Sequence, residues 1–129
     1  MILVKNKVLT SSIEGLGLFA DQFIPAGTTI WQYHEEIDRK ISLEVVDAMP
    51  EVTREYMKKY AWVEKNTFII SIDNNQFINH SYTPNCIPSD DEETMIAARD
   101  INIGEEITEN YKTYDVNFGL KEFGYDWYA

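Results

Sequence analysis

Cysteine is nearly absent from this chain of 129 residues: Cys86 stands alone, which excludes an intramolecular disulfide and fits a reducing, intracellular setting. Histidine is almost as scarce, with only His34 and His80. A structural zinc site commonly draws four ligands from these two residue types, so no metal is expected. Long apolar runs are missing too. Nothing approaches the ~18 residues that span a bilayer, and the start Met1-Ile2-Leu3-Val4-Lys5-Asn6 lacks the apolar core of a secretory signal, so neither a membrane partner nor export is expected. Basic charge is short as well. The 11 Lys and Arg face 22 Asp and Glu, a formal charge of −11, which argues against nucleic acid as a direct ligand and leaves a basic protein or peptide as the better partner.

What is present reads as one sheet-rich domain over 1–129. With 44% hydrophobic and 26% charged residues the composition is that of a globular protein, and this length supplies one core. Ile2–Thr10 alternates enough to predict a first strand. Gly15 and Gly17 follow, and two readings stand: a hairpin turn between Val8-Leu9 and Leu18-Phe19, or a close approach of backbone to a ligand. Thr28–Tyr33, Phe68–Ile72 and Thr94–Arg99 predict further strands, and the acidic run Asp90–Glu93 predicts a solvated loop. One helical insert is expected over 40–66, its first helix capped by Ser42 and its second begun near Pro50. There Val52, Tyr56 and Tyr60 form a stripe at i, i+4 and i+8 that should face the core. The fold class is therefore mainly β with a small helical insert. A faint echo is also visible: Ala20-x3-Ile24-x2-Gly27-x2-Ile30 is matched by Ala97-x3-Ile101-x2-Gly104-x2-Ile107.

Three motifs carry chemistry. Asn79-His80-Ser81-Tyr82-Thr83-Pro84-Asn85-Cys86 places an amide, an imidazole and a hydroxyl in succession behind Phe77 and Ile78. Downstream lies Glu105-Glu106-Ile107-Thr108-Glu109-Asn110-Tyr111, and upstream Gly15-Leu16-Gly17-Leu18-Phe19-Ala20. In this order they resemble the motifs of SET-domain protein-lysine methyltransferases. The resemblance implies a fold of several short sheets around a knot-like crossing, S-adenosylmethionine as cofactor, and a lysine in a basic protein segment as substrate. It also implies roles. Tyr111 matches the catalytic tyrosine and Tyr33 a channel tyrosine; Leu16 and Gly17 match backbone that touches the cofactor; Asn79 and His80 match cofactor-binding positions, the first by side chain and the second largely by backbone.

The sequence departs from the family pattern at Gln76, Tyr82, Glu109 and Asn110, and the family's cysteine-rich zinc segment is replaced by an aromatic closing segment over 112–129. Trp127, among Phe123, Tyr125 and Tyr128, is expected to cover the cofactor or wall the lysine channel, or else to pack on the core. Glu109 stands where many relatives carry a channel aromatic, and is expected either to approach the substrate amine or to reach solvent. Cys86 reads as a buried, inert thiol. A non-catalytic SET-like module that binds the cofactor or a basic partner is the alternative function.

Overall fold

The computed structural model describes residues 1–64, 66–91 and 93–113, which fall into two compact units. Of these residues, the first unit comprises those within 1–38 and 71–110, the second those within 39–70 and 111–113.

In the first unit β1 (Asn6–Thr10) and β2 (Leu16–Ala20) form an antiparallel hairpin, pairing Thr10 with Leu16 and Asn6 with Ala20. The Ser11 amide closes its turn on the Gly15 carbonyl at 2.8 Å, with Gly15 at φ 46°, a conformation that suits glycine. The hairpin reading of the glycine pair is thus correct for Gly15. The strand begins later than Ile2, however. Ile2 bridges to Trp31, and the Leu3 amide donates to the Ile30 carbonyl at 2.8 Å, so the first residues lie along a different strand. That strand is β3 (Thr29–Gln32), which joins β9 (Thr94–Ala97) and β8 (Cys86–Pro88) in a three-stranded sheet ordered β3-β9-β8. The hairpin continues into β10 (Glu106–Glu109) and β7 (Asn79–His80) as a four-stranded sheet ordered β1-β2-β10-β7.

The echo in the sequence has a physical counterpart here. The Ala20 amide donates to the Glu105 carbonyl (2.9 Å) and the Gly104 amide to the Ala20 carbonyl (2.8 Å). At the corresponding positions the Ala97 amide donates to the Thr28 carbonyl (2.9 Å) and the Gly27 amide to the Ala97 carbonyl (2.8 Å). Ile24 and Ile101 exchange backbone hydrogen bonds at 2.9 and 2.8 Å, and Gly27 and Gly104 sit at φ 83° and 87°. Two strand-turn-strand units therefore clasp each other with local two-fold character, each turn docking on the other's leading strand. Every echoed isoleucine and alanine is buried. This clasp brings β10 beside β2 although Glu106 lies 86 positions beyond Ala20 in the sequence.

Asp38, wholly buried in the first unit, is surrounded by donors, as an interior carboxylate must be. It accepts from the His34 amide (2.8 Å), the Met1 amino group (2.7 Å) and, at very close range, the Ser71 hydroxyl.

The second unit holds the sheet β4-β6-β5, formed by β4 (Asp38–Ser42), β6 (Thr67–Ser71) and β5 (Trp62–Glu64), with helices α1 (Leu43–Asp47) and α2 (Glu51–Tyr60). Ser42 caps α1 as expected, its hydroxyl accepting from the Val45 amide at 3.4 Å. The face expected to be buried on α2 is not. Val52 and Tyr56 are 77% and 47% exposed, whereas Met57 is 4% exposed and packs with Val46, Val63 and Phe68. The helix is turned one residue, about 100°, from the orientation its aromatic stripe suggests. The reason lies in the unit's core: a flexible methionine fills the space among Val46, Val63 and Phe68, and Tyr56 and Tyr60 stack on each other outside, with ring centroids 4.7 Å apart. Among the described residues no helix is long and apolar enough to cross a membrane.

Candidate functional site

The three motifs meet in the four-stranded sheet. β10 pairs antiparallel with β2, placing Ile107 opposite Leu18, and parallel with β7, placing Thr108 opposite Asn79 and Glu109 opposite His80. The Ser81 amide extends the parallel pairing by donating to the Glu109 carbonyl at 2.8 Å.

Asn79 lies at the junction. Its Nδ2 donates toward the Leu16 carbonyl (3.1 Å), the Glu14 carbonyl (3.2 Å) and Glu106 Oε1 (2.9 Å). Three acceptors around one atom require that atom to be the nitrogen, which settles the amide's orientation. Among the described residues Asn79 Oδ1 accepts no hydrogen bond, so an acceptor stands beside a run of backbone carbonyls. Leu16 adds an apolar surface that is 49% exposed. An acceptor oxygen beside backbone carbonyls suits a ligand that carries an ammonium group, and S-adenosylmethionine is such a ligand. The residues fit the cofactor that the sequence implies.

Gly17 is a case of its own. A Cβ built there would come within 2.1 Å of Glu106 Oε1 and 2.8 Å of its Cδ, so a side chain at this position has to displace the Glu106 carboxylate. That carboxylate also accepts the Ser11 hydroxyl, at 2.8 Å on Oε1 and 2.9 Å on Oε2.

Asn85 joins the motifs from below. Buried to 3% exposure, it donates from Nδ2 to the Glu106 carbonyl (2.8 Å) and accepts at Oδ1 from the Thr108 amide (2.9 Å), replacing a strand partner for β10 with a side chain. Ser11 lies outside the three motifs, and Asn85 and Glu106 lie inside them without a predicted cofactor or substrate contact. The available signal for Asn85 was a second amide after Pro84, a residue that ends local pairing and frees the next side chain to reach across.

His80 packs edge-on against Tyr82, with centroids 4.6 Å apart and planes at 89°. Glu109 is half-buried and turns toward the core side of the sheet, its Oε1 3.8 Å from the Cys86 sulfur. Burial, reinforced by the neighbouring Glu109 charge and hydrogen bond, pushes the Cys86 thiol well above its ordinary value of 9.0. It is a neutral thiol at physiological pH.

Leu16, Gly17, Asn79, His80 and Glu109 are thus gathered on one sheet. Tyr33 follows β3 of the other sheet, where its hydroxyl makes a long 3.5 Å contact to the Asp38 carbonyl and its ring meets Trp31 edge-on at 6.4 Å. Tyr111 opens a short 3₁₀ turn (Tyr111–Thr113) in the second unit, two residues beyond the end of β10. Trp127 and the aromatic residues around it lie outside the described residues.

Comparison with known proteins gives a consistent identification. The profile described as the SET domain matches residues 15–112. A histone-lysine N-methyltransferase of Aspergillus oryzae, H3 lysine-4 specific, is 35% identical over 117 residues, or 79% of this chain. The histone-lysine N-methyltransferase set1 of Dictyostelium discoideum is 37% identical over the same share. This chain spans only 9% and 8% of the length of those two relatives. Among solved structures, a humanized mutant of Polycomb Repressive Complex 2 from Chaetomium thermophilum, bound to an inhibitor, superposes with a TM-score of 0.62 at 25% identity. The alignment covers 86% of this chain and 15% of that one. Motif order, sheet pairing and profile agree, and the chain belongs to the SET domain family.

Proposed function

We propose that this protein is an S-adenosylmethionine-dependent protein-lysine N-methyltransferase that acts, inside the cell, on a lysine in a basic protein segment. The observation that carries the reading is the placement of Asn79: its amide nitrogen is tied to the Leu16 carbonyl and Glu106, which turns its oxygen to where a ligand ammonium can be accepted. The cofactor supplies a methyl group on a sulfonium. The protein's own task is alignment and desolvation rather than strong base catalysis.

Leu16 and Gly17 offer backbone and an apolar surface, and Asn79 an acceptor. Tyr111 offers a hydroxyl that can orient the substrate amine and an aromatic face that tolerates positive charge. Free lysine, with a pKa of about 10.4, leaves only a few molecules in ~10,000 as the neutral amine at pH 7. Removal of water around the amine favours that neutral form.

The relatives named for histone H3 lysine 4 make histones the first substrates to try, and the chain's charge of −11 suits any lysine- and arginine-rich segment. Incubation with labelled S-adenosylmethionine and basic protein mixtures tests the proposal. Transfer to lysine, lost in Tyr111→Phe with cofactor binding retained, is the expected result. Cofactor binding without transfer would mark a non-catalytic module, and neither would remove the reading.

A further inference from the structure

We infer that Glu106 is a positioning residue that sets the cofactor-binding edge by clasping Asn79 and the β1–β2 hairpin. The inference rests on the cofactor reading above and adds to it a residue with no place among the expected contacts. The Glu106 side chain lies diagonally across from Gly17 and reaches over it, its carboxylate filling the space a Cβ would occupy. From there it accepts the Ser11 hydroxyl at 2.8 and 2.9 Å and the Asn79 amide at 2.9 Å.

The consequence for Asn79 is orientation. Were its amide to flip, its oxygen would face the Glu106 carboxylate together with the Glu14 and Leu16 carbonyls, an assembly of acceptors with no donor among them. The negative charge makes that flip costlier than two carbonyls would alone, since hydrogen bonds to charged groups are stronger than neutral ones. Glu106 therefore decides which end of the Asn79 amide a ligand meets, and through Ser11 it fastens the far side of the hairpin turn to the same point. The Ser11 hydroxyl also accepts from the Ile13 amide at 2.9 Å, so the clasp reaches the loop itself.

Gly17 is then coupled to Glu106. Gly17→Ala displaces the carboxylate, and under the clasp it should weaken the same bonds that Glu106→Ala deletes. Two measurements test this. In the first, calorimetry with S-adenosylmethionine should show affinity weakened about tenfold or more in Glu106→Ala, as loss of a charge-assisted bond predicts. Glu106→Gln should stay within about threefold, because glutamine keeps an acceptor for Asn79 and its NH2 can donate to the Ser11 oxygen. Gly17→Ala should match Glu106→Ala, and the double variant should be no weaker than either, since both remove one interaction.

In the second, amide hydrogen exchange on the ligand-free protein should be faster at residues 14–17 in Glu106→Ala and near the wild-type rate in Glu106→Gln. Should Glu106→Ala fail to fold, Ser11→Ala removes the donor to Glu106 together with the acceptor of the Ile13 amide, and should speed exchange over the same residues. Additive effects of Gly17→Ala and Glu106→Ala, or unchanged exchange at residues 14–17 in Ser11→Ala and Glu106→Ala alike, would overturn the clasp. A wild-type chain that does not bind S-adenosylmethionine would instead overturn the cofactor reading, and the exchange rates would still decide the clasp.

Discussion

Cys86 and Asn79 show how much one side chain's role depends on partners far along the chain. Cys86 is buried beside Glu109, and both facts hold its thiol protonated. The folded chain therefore keeps a proton that the unfolded chain gives up above the ordinary value of 9.0. As pH rises past that value the unfolded state binds fewer protons than the folded one, so stability falls, by at most about 1.4 kcal/mol per pH unit from this group. Below it the contribution is fully present. Cys86→Ala should flatten the decline in stability above pH 9.0, measured by denaturant unfolding, while lowering stability at pH 7 by the cost of a small buried cavity. An alkaline slope identical in the variant would show that Cys86 is not its source.

Asn79 teaches the complementary lesson. Its motif pointed to a ligand, yet its amide nitrogen bonds residues 65, 63 and 27 positions away. Asn79→Ala should thus lose cofactor affinity and also cost about 1–2 kcal/mol of stability, since the Glu106 carboxylate loses a partner. A variant with full thermal stability and weak binding would reduce Asn79 to a ligand contact alone. The amide as a chemical group was legible in the sequence; the acceptors it serves were not, because spacing along a chain says nothing of pairing across sheets.

At the scale of elements, the strands were legible where β-branched residues alternate, and the insert's capping serine was legible because its hydroxyl acts on an amide three residues away. The orientation of α2 was not. Its sequence offers an aromatic stripe and, one residue round, a methionine, and periodicity cannot say which the core will take. The space left by Val46, Val63 and Phe68 decided it.

The paired turns give a sharper prediction. Gly27 and Gly104 both have positive φ, and a Cβ at either would meet nothing within 4 Å. The cost of alanine there is therefore conformational only, about 1–2 kcal/mol at each, and similar at both. Asparagine should cost less, since it tolerates this region. Urea unfolding of the four single variants checks it; a large asymmetry between the two glycines would mean that the turns are not equivalent in energy despite their matching hydrogen bonds.

For the whole molecule, charge is distributed in a way that the total conceals. Residues 1–38 and 71–110 carry a formal charge equal to the chain's whole −11, whereas residues 39–70 are nearly balanced. The acidic part is the unit that holds Asn79, Glu106 and the hairpin. Its carboxylates are placed unequally: Glu106 and Asp38 are engaged internally, while Glu35, Glu36, Asp90 and Glu93 are exposed. The exposed group is what a basic partner would meet at long range. Such attraction raises the association rate more than it slows dissociation, and it is screened as the Debye length falls from about 30 Å at 0.01 M salt to about 8 Å at 0.15 M. Binding of a lysine- and arginine-rich peptide should therefore weaken several-fold over that range, mainly through slower association. Reversing Glu35 and Glu36 together to lysine should remove much of the salt dependence without altering affinity for S-adenosylmethionine, whose expected contacts lie on Leu16 and Asn79. Stopped-flow association at a series of salt concentrations measures both. If the rate is insensitive to salt in the parent chain, or equally sensitive in the reversed one, the acidic surface serves solubility and does not steer the substrate.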